Sequence, residues 1–523
     1  MTPPEDRPDS ARPVAVTPEA DVPGLPAAVP PALAPEAPRG GLARAGTTAV
    51  LWQGTAQFLG KAVVLVTTVV LARLLAPADF GLVALAMVLI VYAEVLASTG
   101  VAQALIYLGR TPSVVRAALG CSIVAGLVLT GAAVAAAPLI ASFFDNPDVV
   151  PIVRLLAVGL FASALGAVPE ALLQRDLLFS RLTIATVARS MVTGAVSVGL
   201  ALSGYGAISL AWGNVAGGVS FAVLTWALLP DRPDAALWRT RRSDVRQVMG
   251  YGIPVAGSSM LQRAIYDIDY LIIGRMLGVS ALGYYSLAFR LPELLILNVF
   301  FVLSSVAFPL YSKVRGDREA LRRGYFLAVR LFSLYGLCAG VGMAVVAPVL
   351  VPVVFGRAWE GAVGPLVALA LYAACRSIAG GANDIYKATG RPGVAVVLAV
   401  ARLLVLVPVL VTAAWFWGIV GVAYAQLATS AIFVVVMQGV AVRMLGARWL
   451  DAVRAMAPSF VAAGAVAMVA SALVRLPVTP VLVLIITIVG GVLAAVGSLA
   501  LTHRPFLREL IGLVVRRSAA APR

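Results

Sequence analysis

The sequence predicts an all-α polytopic membrane protein with about fourteen transmembrane helices. Three observations favour this fold class: the 523 residues are 61% apolar and only 12% charged, long apolar stretches follow one another, and Lys and Arg concentrate in alternate loops. Soluble domains have roughly 25% charged residues, so this composition excludes an ordinary soluble protein. The formal charge of +16 does not indicate nucleic-acid binding, because the chain has too little polar surface on which to cluster its cations.

The chain begins with a polar tail. Residues 1–45 hold 11 of the 32 prolines and contain no apolar run long enough for a signal peptide, so we expect a disordered, Pro/Ala-rich cytoplasmic tail. Beyond it, apolar stretches begin, and a bilayer core of ~30 Å needs ~20 apolar residues per helix. By this measure the predicted spans are 48–73, 81–107, 117–140, 151–172, 182–203, 207–229, 249–273, 284–310, 325–353, 362–385, 393–414, 419–441, 456–474 and 479–501.

These spans group into regions along the chain. We expect two related six-helix lobes around a central cavity, followed by two additional helices. The predicted regions are an N-lobe (46–230, helices 1–6), a cytoplasmic linker (231–248), a C-lobe (249–445, helices 7–12), helices 13 and 14 (446–502) and a basic cytoplasmic tail (503–523).

The positions of Lys and Arg test this count, because cytoplasmic loops of membrane proteins are enriched in both. With the N-terminus inside, the inner loops and the C-terminal tail carry 24 Lys and Arg residues, whereas the outer loops carry four. A missed helix would invert every later loop and destroy this alternation. We therefore expect a multi-pass protein of the plasma (inner) membrane with both termini cytoplasmic, and with outer loops too short to form a domain.

An internal repeat relates the first six spans to the next six. An offset of 202 residues places LARLLAPADFGL (71–82) on IGRMLGVSALGY (273–284) and pairs Gly81 with Gly283. Because six is an even number, the two halves share one orientation in the membrane. The cations that the repeat pairs are Lys61 with Arg263, Arg73 with Arg275 and, at an offset of 213, Arg189 with Arg402.

Charged residues also lie inside the predicted spans. A charge near the bilayer centre costs ~3 kcal/mol on insertion scales, so we expect such side chains to face a cavity rather than lipid. Gln53, Gln57 and Lys61 form a polar stripe at i, i+4 and i+8, and Arg263 with Asp267 repeats this stripe in the seventh helix. The two stripes predict a central hydrophilic cavity. The cations that we expect to act in it are Lys61, Arg189, Arg263, Arg290, Arg376 and Arg402.

A purely structural interpretation competes for two of these cations. Arg263 with Asp267 and Arg290 with Glu293 have the spacing of ion pairs within one helix, which would only neutralise buried charge. The other four cations have no acid within one helical turn, and this favours a role in the cavity. The remaining intramembrane acids either pair with cations on other helices or take part in ion coupling: Glu94, Asp269 and Asp384.

A cavity with unpaired cations suits a phosphate or a diphosphate, because Arg makes bidentate contacts with phosphate oxygens. The chain has no Walker motif G-x-x-x-x-G-K-[ST], so we expect transport driven by a gradient, the membrane potential or downstream consumption, without a cofactor. The three cysteines lack CxxC spacing, and His503 is the only histidine. We therefore expect neither a disulfide framework nor a metal site.

A resemblance to a known family lies in three runs: LARLLAPADFGLVALAMVLIVYAEVLASTGVAQALI (71–106), PEALLQRDLLFSRL (169–182) and DYLIIGRMLGVSALGYYSLAFRLPELLILNVFFVLSSVAFPLYSKV (269–314). They resemble the polysaccharide biosynthesis/export family, which includes the O-antigen, teichuronic acid and colanic acid flippases. That family belongs to the multidrug/oligosaccharidyl-lipid/polysaccharide exporter superfamily. The resemblance covers roughly residues 45–445.

The resemblance implies a transporter rather than an enzyme. In such a flippase, alternating access moves a polyprenyl-diphosphate-linked oligosaccharide to the outer leaflet for cell-surface polysaccharide biosynthesis. By location and repeat pairing, the six cations named above are the positions that would hold the diphosphate. The implied partners are the lipid-linked oligosaccharide, membrane lipids, and a polysaccharide polymerase and glycosyltransferases, with no nucleic acid.

Other functions remain open. A multidrug or toxin extruder of the same superfamily typically has twelve helices and handles cationic drugs, for which a cavity of cations has the wrong sign. A membrane polysaccharide polymerase or glycosyltransferase usually places its reactive residues in a large outer loop, and every predicted outer loop here is short. A membrane protein that binds the lipid-linked precursor without moving it also fits the sequence.

Overall fold

The structure is a computed structural model, and every regular element in its described part is helical. The predicted N-terminal tail (1–45), Gln53 and Gln57 lie outside the described residues, as does most of the predicted basic tail. The described residues are 59–109, 111–231, 240–300, 311, 314, 317–389, 391–502 and 504.

Fourteen helical segments follow one another in the order of the predicted spans. We number them α1 to α14 and keep the names N-lobe for α1–α6 and C-lobe for α7–α12. Their bounds are 59–74, Pro77–Leu108, Pro112–Phe143, Val149–Arg175, Phe179–Leu202, Ala207–Ala227, Arg242–Met276, 279–300, Arg318–Val354, Val363–Ala388, the two halves of Pro392–Met444 (α11 and α12), Trp449–Leu473 and Pro480–Thr502.

In the described part of the chain, ten helices are long and apolar enough to cross a membrane. The longest of them turns at Gly418, whose φ of 59° lies in the left-handed region that glycine adopts without strain. This turn divides it into α11 and α12. The predicted all-α membrane fold is therefore confirmed, although the boundaries shift. For example, α9 begins at Arg318 rather than 325, because Asp317 caps it by accepting bonds from the backbone N–H groups of Glu319 and Ala320.

Small residues hold neighbouring helices together within each lobe. A Cβ at Gly213 or Gly217 of α6 would overlap the side chains of Ser197 and Thr193 on α5. In the C-lobe, Gly336 of α9 is equally close to Ser377 of α10. Small residues spaced by four positions allow helix backbones to approach closely, which is the packing that membrane helices favour.

The last two helices attach to the C-lobe through α9. Ser333 of α9 and Ser459 of α13 share a buried hydrogen bond of 2.8 Å. Closer to the helix ends, Arg322 forms an ion pair of 2.9 Å with Asp451. Helix α14 packs mainly on α13.

The two lobes meet through contacts that obey the repeat. At the start of α2, a Cβ on Gly81 would overlap the carbonyl oxygen of Val279, the first residue of α8. Reciprocally, a Cβ on Gly283 would overlap the carbonyl oxygen of Pro77, the first residue of α2. Both pairs are related by the offset of 202 residues. The repeat found in the sequence is therefore a pseudo-twofold relationship between α2 and α8.

Candidate functional site

A cavity of about 340 Å³ lies between the lobes. Helices α1, α2, α5 and α6 of the N-lobe and α7 and α8 of the C-lobe contribute its walls. The N-lobe walls supply hydroxyl, amide and apolar side chains, and the described charged residues of the lining come from the C-lobe. The polar and aromatic lining residues are Thr67, Thr68, Phe80, Ser190, Thr193, Ser197, Asn214, Arg263, Tyr266, Asp267, Tyr270, Ser286, Phe289, Arg290 and Glu293.

The two arginines in this lining are paired with acids on their own helices. Arg263 Nε lies 2.5 Å from Asp267 Oδ2 on α7, and Arg290 Nη1 lies 3.6 Å from Glu293 Oε2 on α8. Both arginine side chains are 44% exposed, whereas that of Asp267 is 7% exposed. The ion pairs suggested by the sequence spacing are therefore present, and the described lining carries balanced charge where the sequence predicts an excess of cations.

We call the four charged lining residues, Arg263, Asp267, Arg290 and Glu293, the charged wall. Lys61 lies close to it. It is half-buried on α1, one turn before the lining residue Val64, and it lies within electrostatic range of Glu293 and Arg290 on α8. Lys61 is not itself part of the described lining. Its position makes Glu293 the carboxylate that two cations from different lobes can reach.

Arg189 turns away from the charged wall into the N-lobe. Its guanidinium lies over the ring of Phe221 on α6, 5.6 Å from the ring centroid, and within electrostatic range of Glu170 on α4. Glu170 accepts a hydrogen bond of 3.0 Å from Gln174 and lies near Glu94. Sequence reasoning missed Glu170, although its place inside the fourth predicted span was a usable signal.

Arg376 and Arg402 lie behind the C-lobe wall. The guanidinium of Arg376, on α10, stacks on the ring of Tyr266 at 4.1 Å from the centroid, and Tyr266 lines the cavity. Arg402, on α11, is 9% exposed and lies beside Tyr372 on α10. Neither arginine belongs to the described lining. The six predicted cations thus divide between the cavity wall and the interiors of the lobes.

Asp269 is the centre of a buried network. Its carboxylate accepts hydrogen bonds from Tyr285 Oη at 2.6 Å, from Gln426 Nε2 at 3.1 Å and from the backbone N–H of Tyr270 at 3.0 Å. These contacts tie α7 to α8 and α12. Asp384 is also buried, at 6% exposure on α10, and lies near Tyr311.

The two repeat-related helices α2 and α8 both change their winding near acidic residues. In α2 a π-helical segment, Val95–Thr99, follows Glu94 directly, and in α8 the segment Glu293–Leu297 begins at the cavity acid. Such π segments are rare and frequently occur at functional sites. At the repeat offset of 202 residues, Val95–Thr99 falls on 297–301, so the two segments lie about one turn apart in the repeat-related helices. Hydropathy gives no signal for them.

Paired contacts join the lobes at the predicted outer end. Arg73 of the N-lobe donates to the backbone carbonyls of Val353 and Val354 at the end of α9. Arg275 of the C-lobe forms an ion pair of 2.9 Å with Asp145, just after α3. Because the repeat relates Arg73 to Arg275, we call these contacts the outer latch.

A narrower contact joins the lobes at the predicted inner end. Gly100 of α2 and Gly252 of α7 touch backbone to backbone, so that a Cβ on either would overlap the other. Beside them the rings of Tyr107 and Tyr251 stack with centroids 4.5 Å apart. The lobes therefore contact each other at both ends of the described helices.

The described residues contain no group of three or more His, Cys, Asp or Glu side chains placed to hold a metal ion. The chemistry that the described lining offers is that of guanidinium, carboxylate, hydroxyl and aromatic groups. Such a set binds polar, ionic and sugar-like molecules by hydrogen bonds and ion pairs.

Comparisons with known proteins agree with this fold. The chain is 24% identical to the teichuronic acid biosynthesis protein TuaB of Bacillus subtilis over 311 residues, 58% of this chain and 64% of TuaB, just under two thirds. It is 24% identical to the lipopolysaccharide biosynthesis protein WzxC of Escherichia coli over 379 residues, 71% of this chain and 75% of WzxC. The structure of the lipid II flippase MurJ in an inward closed conformation superposes with a TM-score of 0.72 at 14% identity, covering 88% of this chain and all of MurJ.

A family model described as "Polysaccharide biosynthesis protein" matches residues 70–364, more than half of the chain. This match spans the three runs on which the sequence resemblance rests, and it confirms that resemblance. The chain therefore belongs to the polysaccharide biosynthesis protein family.

Proposed function

We propose that this protein is a flippase that moves a polyprenyl-diphosphate-linked oligosaccharide across the plasma membrane by alternating access, for cell-surface polysaccharide biosynthesis. The observation that carries the proposal is a polar cavity between two repeat-related lobes that contact each other at both ends of the described helices, in a member of this family. The names of TuaB, WzxC and MurJ place these proteins in cell-wall or surface polysaccharide synthesis or in lipid-linked precursor transport.

The charged wall is the proposed diphosphate site. Arg263 and Arg290 face the cavity with 44% of each side chain exposed, and a diphosphate could take the place of Asp267 and Glu293 as their partner. Arginine suits this exchange because its planar fork binds phosphate oxygens at two points. Lys61 supplies a third cation from the N-lobe and would draw the lobes together around the bound phosphates.

The displaced carboxylates suggest how transport is coupled. Once phosphate oxygens occupy Arg263 and Arg290, Asp267 and Glu293 lose their cations and face a second negative charge in a poorly solvated space. Such carboxylates are stabilised by taking up a proton or another cation. We therefore propose that Asp267 and Glu293 couple substrate binding to ion binding. The sugars would occupy the cavity, and the polyprenyl chain would stay in lipid.

The loops support one orientation in the membrane. Contacts of Arg73, Arg275 and Asp145 bring predicted outer segments together at one end of the helices. At the other end, Arg181 donates to the carbonyl of Leu228, and Arg322 pairs with Asp451, all in predicted inner segments. With 24 Lys and Arg on the second side and four on the first, we propose that both termini are cytoplasmic.

Reconstitution tests the proposed function. The full chain is placed in liposomes with a fluorescent polyprenyl-diphosphate oligosaccharide. Transport should bring probe molecules from the inner leaflet to the outer one, where an external quencher reaches them. Arg263→Ala and Lys61→Ala should each slow this at least about tenfold, the effect of losing one charge-assisted bond. Arg154→Ala is the matched control, since Arg154 lies within a predicted span but does not line the cavity. Wild-type rates in both cavity variants would refute the phosphate-site assignment.

A genetic experiment tests the substrate class. Deleting the gene in its native host should make a lipid-linked glycan accumulate on the inner side of the membrane. Extraction and mass spectrometry of the polyprenyl-linked pool would identify that glycan. If efflux of cationic drugs falls and no lipid-linked glycan accumulates, the protein is an extruder instead.

A further inference from the structure

We infer that Arg376 and Arg402 form a second oxyanion site in the C-lobe, separate from the charged wall, which receives a carboxylate or phosphate group carried by a sugar of the transported glycan. The identity of the molecule that bears the oxyanion rests on the proposed function. The site itself rests on the burial, the free donors and the neighbours of the two arginines.

Arg402 supplies the first observation. Its residue exposure is 9%, and in the described part of the structure its Nε and Nη2 atoms are buried without a hydrogen-bond partner. The side chain lies beside Tyr372, which is also buried. A buried guanidinium with unsatisfied N–H groups is strongly unfavourable unless an anion or water completes it.

A second arginine lies next to the first. Arg376 follows Tyr372 by one turn on α10, which places both side chains on the face that approaches Arg402, and the two arginines lie within electrostatic range of each other. Like charges repel most where the surroundings are least polar. A single oxyanion between them would remove this repulsion and satisfy the free donors of Arg402.

The carboxylate of Asp269, near Tyr372, already has hydrogen-bond donors other than the two arginines. Asp269 lies within electrostatic range of Tyr372, but its carboxylate accepts three hydrogen bonds, from Tyr285, Gln426 and the backbone of Tyr270. None of these three donors comes from an arginine. The described structure therefore leaves a pair of guanidinium groups for which an anion from elsewhere is the missing partner.

Tyr266 lies where such an anion would enter. Its ring lines the cavity, and the guanidinium of Arg376 stacks on it at 4.1 Å. Rotation of this ring would expose Arg376 to a ligand in the cavity, and an oxyanion could replace the cation–π contact with a stronger bond. A neutral sugar gains nothing from this exchange, so the site would select glycans with an acidic sugar.

Binding of small probes to the full-length chain in nanodiscs tests the site. Methyl glucuronide and glucose 1-phosphate should bind and raise the thermal midpoint, whereas neutral methyl glucoside should not. In R402Q the affinity for the two anionic probes should fall at least about tenfold, as expected for the loss of one charge-assisted contact. R154Q, at an exposed arginine outside the cavity lining, should retain that affinity. Equal binding of methyl glucoside, or unchanged binding of the anionic probes to R402Q, would overturn the inference.

Two further measurements separate this inference from the proposed function and from misfolding. Binding of inorganic pyrophosphate should weaken in R263Q and stay unchanged in R402Q. If R263Q binds pyrophosphate like the wild type while the results with methyl glucuronide hold, the diphosphate site is wrong and the second site stands. If R402Q does not fold, the pair Y266F and Y266A replaces it. Y266F keeps the ring and should bind methyl glucuronide like the wild type, whereas Y266A should bind it more tightly. Identical binding by Y266F and Y266A would contradict the role of this ring.

Discussion

Gly81 and Gly283 each lie against the carbonyl oxygen of the residue that begins the other's helix. Gly81 of α2 contacts Val279, and Gly283 of α8 contacts Pro77. The sequence repeat pairs the two glycines and also pairs the two residues that they touch. Any side chain larger than hydrogen would push α2 and α8 apart at the predicted outer end.

Replacing Gly81 with valine should therefore destabilise the closed outer end. Overpacking of a close contact typically costs about 1–3 kcal/mol, and here the obstacle is backbone rather than a movable side chain. We expect a lower thermal midpoint and a larger distance between spin labels placed near residues 77 and 283 in electron paramagnetic resonance. Gly131→Val is the matched control, since nothing lies within 4 Å of a Cβ at Gly131. Unchanged label distances in Gly81→Val would show that the contact does not hold the lobes.

Arg263 and Asp267 should behave as a coupled pair. Arg263→Ala leaves the carboxylate of Asp267 without its cation at 7% exposure, and an unsatisfied buried acceptor costs about 1–3 kcal/mol. The double variant Arg263→Ala/Asp267→Asn removes that charge and should recover much of the lost stability. Thermal unfolding of the four proteins in a double-mutant cycle measures the coupling. Additive losses would mean that the two side chains act independently.

Replacing the buried Asp269 should lower stability more than replacing an exposed acid. Asp269→Ala would leave three donors without an acceptor, two of them on buried side chains, at about 1–3 kcal/mol each. We expect the thermal midpoint to fall well below that of Asp145→Ala. The Asp145 side chain is 76% exposed, and its exposed ion pair is worth at most about 1 kcal/mol. Equal midpoints for these two variants would rule out a structural role for the Asp269 network.

The proposed orientation is testable by labelling. After replacement of Cys121, Cys338 and Cys375, a single cysteine at Asp145 should react with a membrane-impermeant maleimide added to intact cells. A single cysteine at Ser243, in the first turn of α7, should react only after the membrane is permeabilised. The reverse pattern would place the termini outside.

Sequence reasoning reached the helix order because hydropathy and loop charge are local properties. Where the structure describes them, the predicted spans each fall on one helical segment. The repeat pairing of Gly81 with Gly283 was also visible in the sequence, because Gly81 lies in the run 71–82 and Gly283 in the similar run 273–284. The helix ends were less visible. Helix α7 begins seven residues before its predicted start at 249. Its first two turns are largely polar, so hydropathy does not detect them.

The candidate site was less predictable, because it depends on how each helix is rotated about its axis. Spacing alone suggested that Arg263 pairs with Asp267, and it does. Spacing could not show that Arg376 stacks on Tyr266 from another helix, or that Arg189 lies over Phe221. The Arg189 contact joins the consecutive helices α5 and α6, and the Arg376 contact joins α10 to α7. The π segments have no hydropathy signal, because they change the winding and leave the composition unaltered.

The outer latch is built twice, and this has a genetic consequence. Arg73 and Arg275 occupy equivalent places in the two halves, and each reaches into the opposite lobe. A single missense change removes one copy and leaves its duplicate in place, so a growth screen of point mutants should score both positions as tolerant. Their importance would emerge only when both arginines are changed in one gene. Redundancy of this kind conceals essential contacts in any protein that arose by internal duplication.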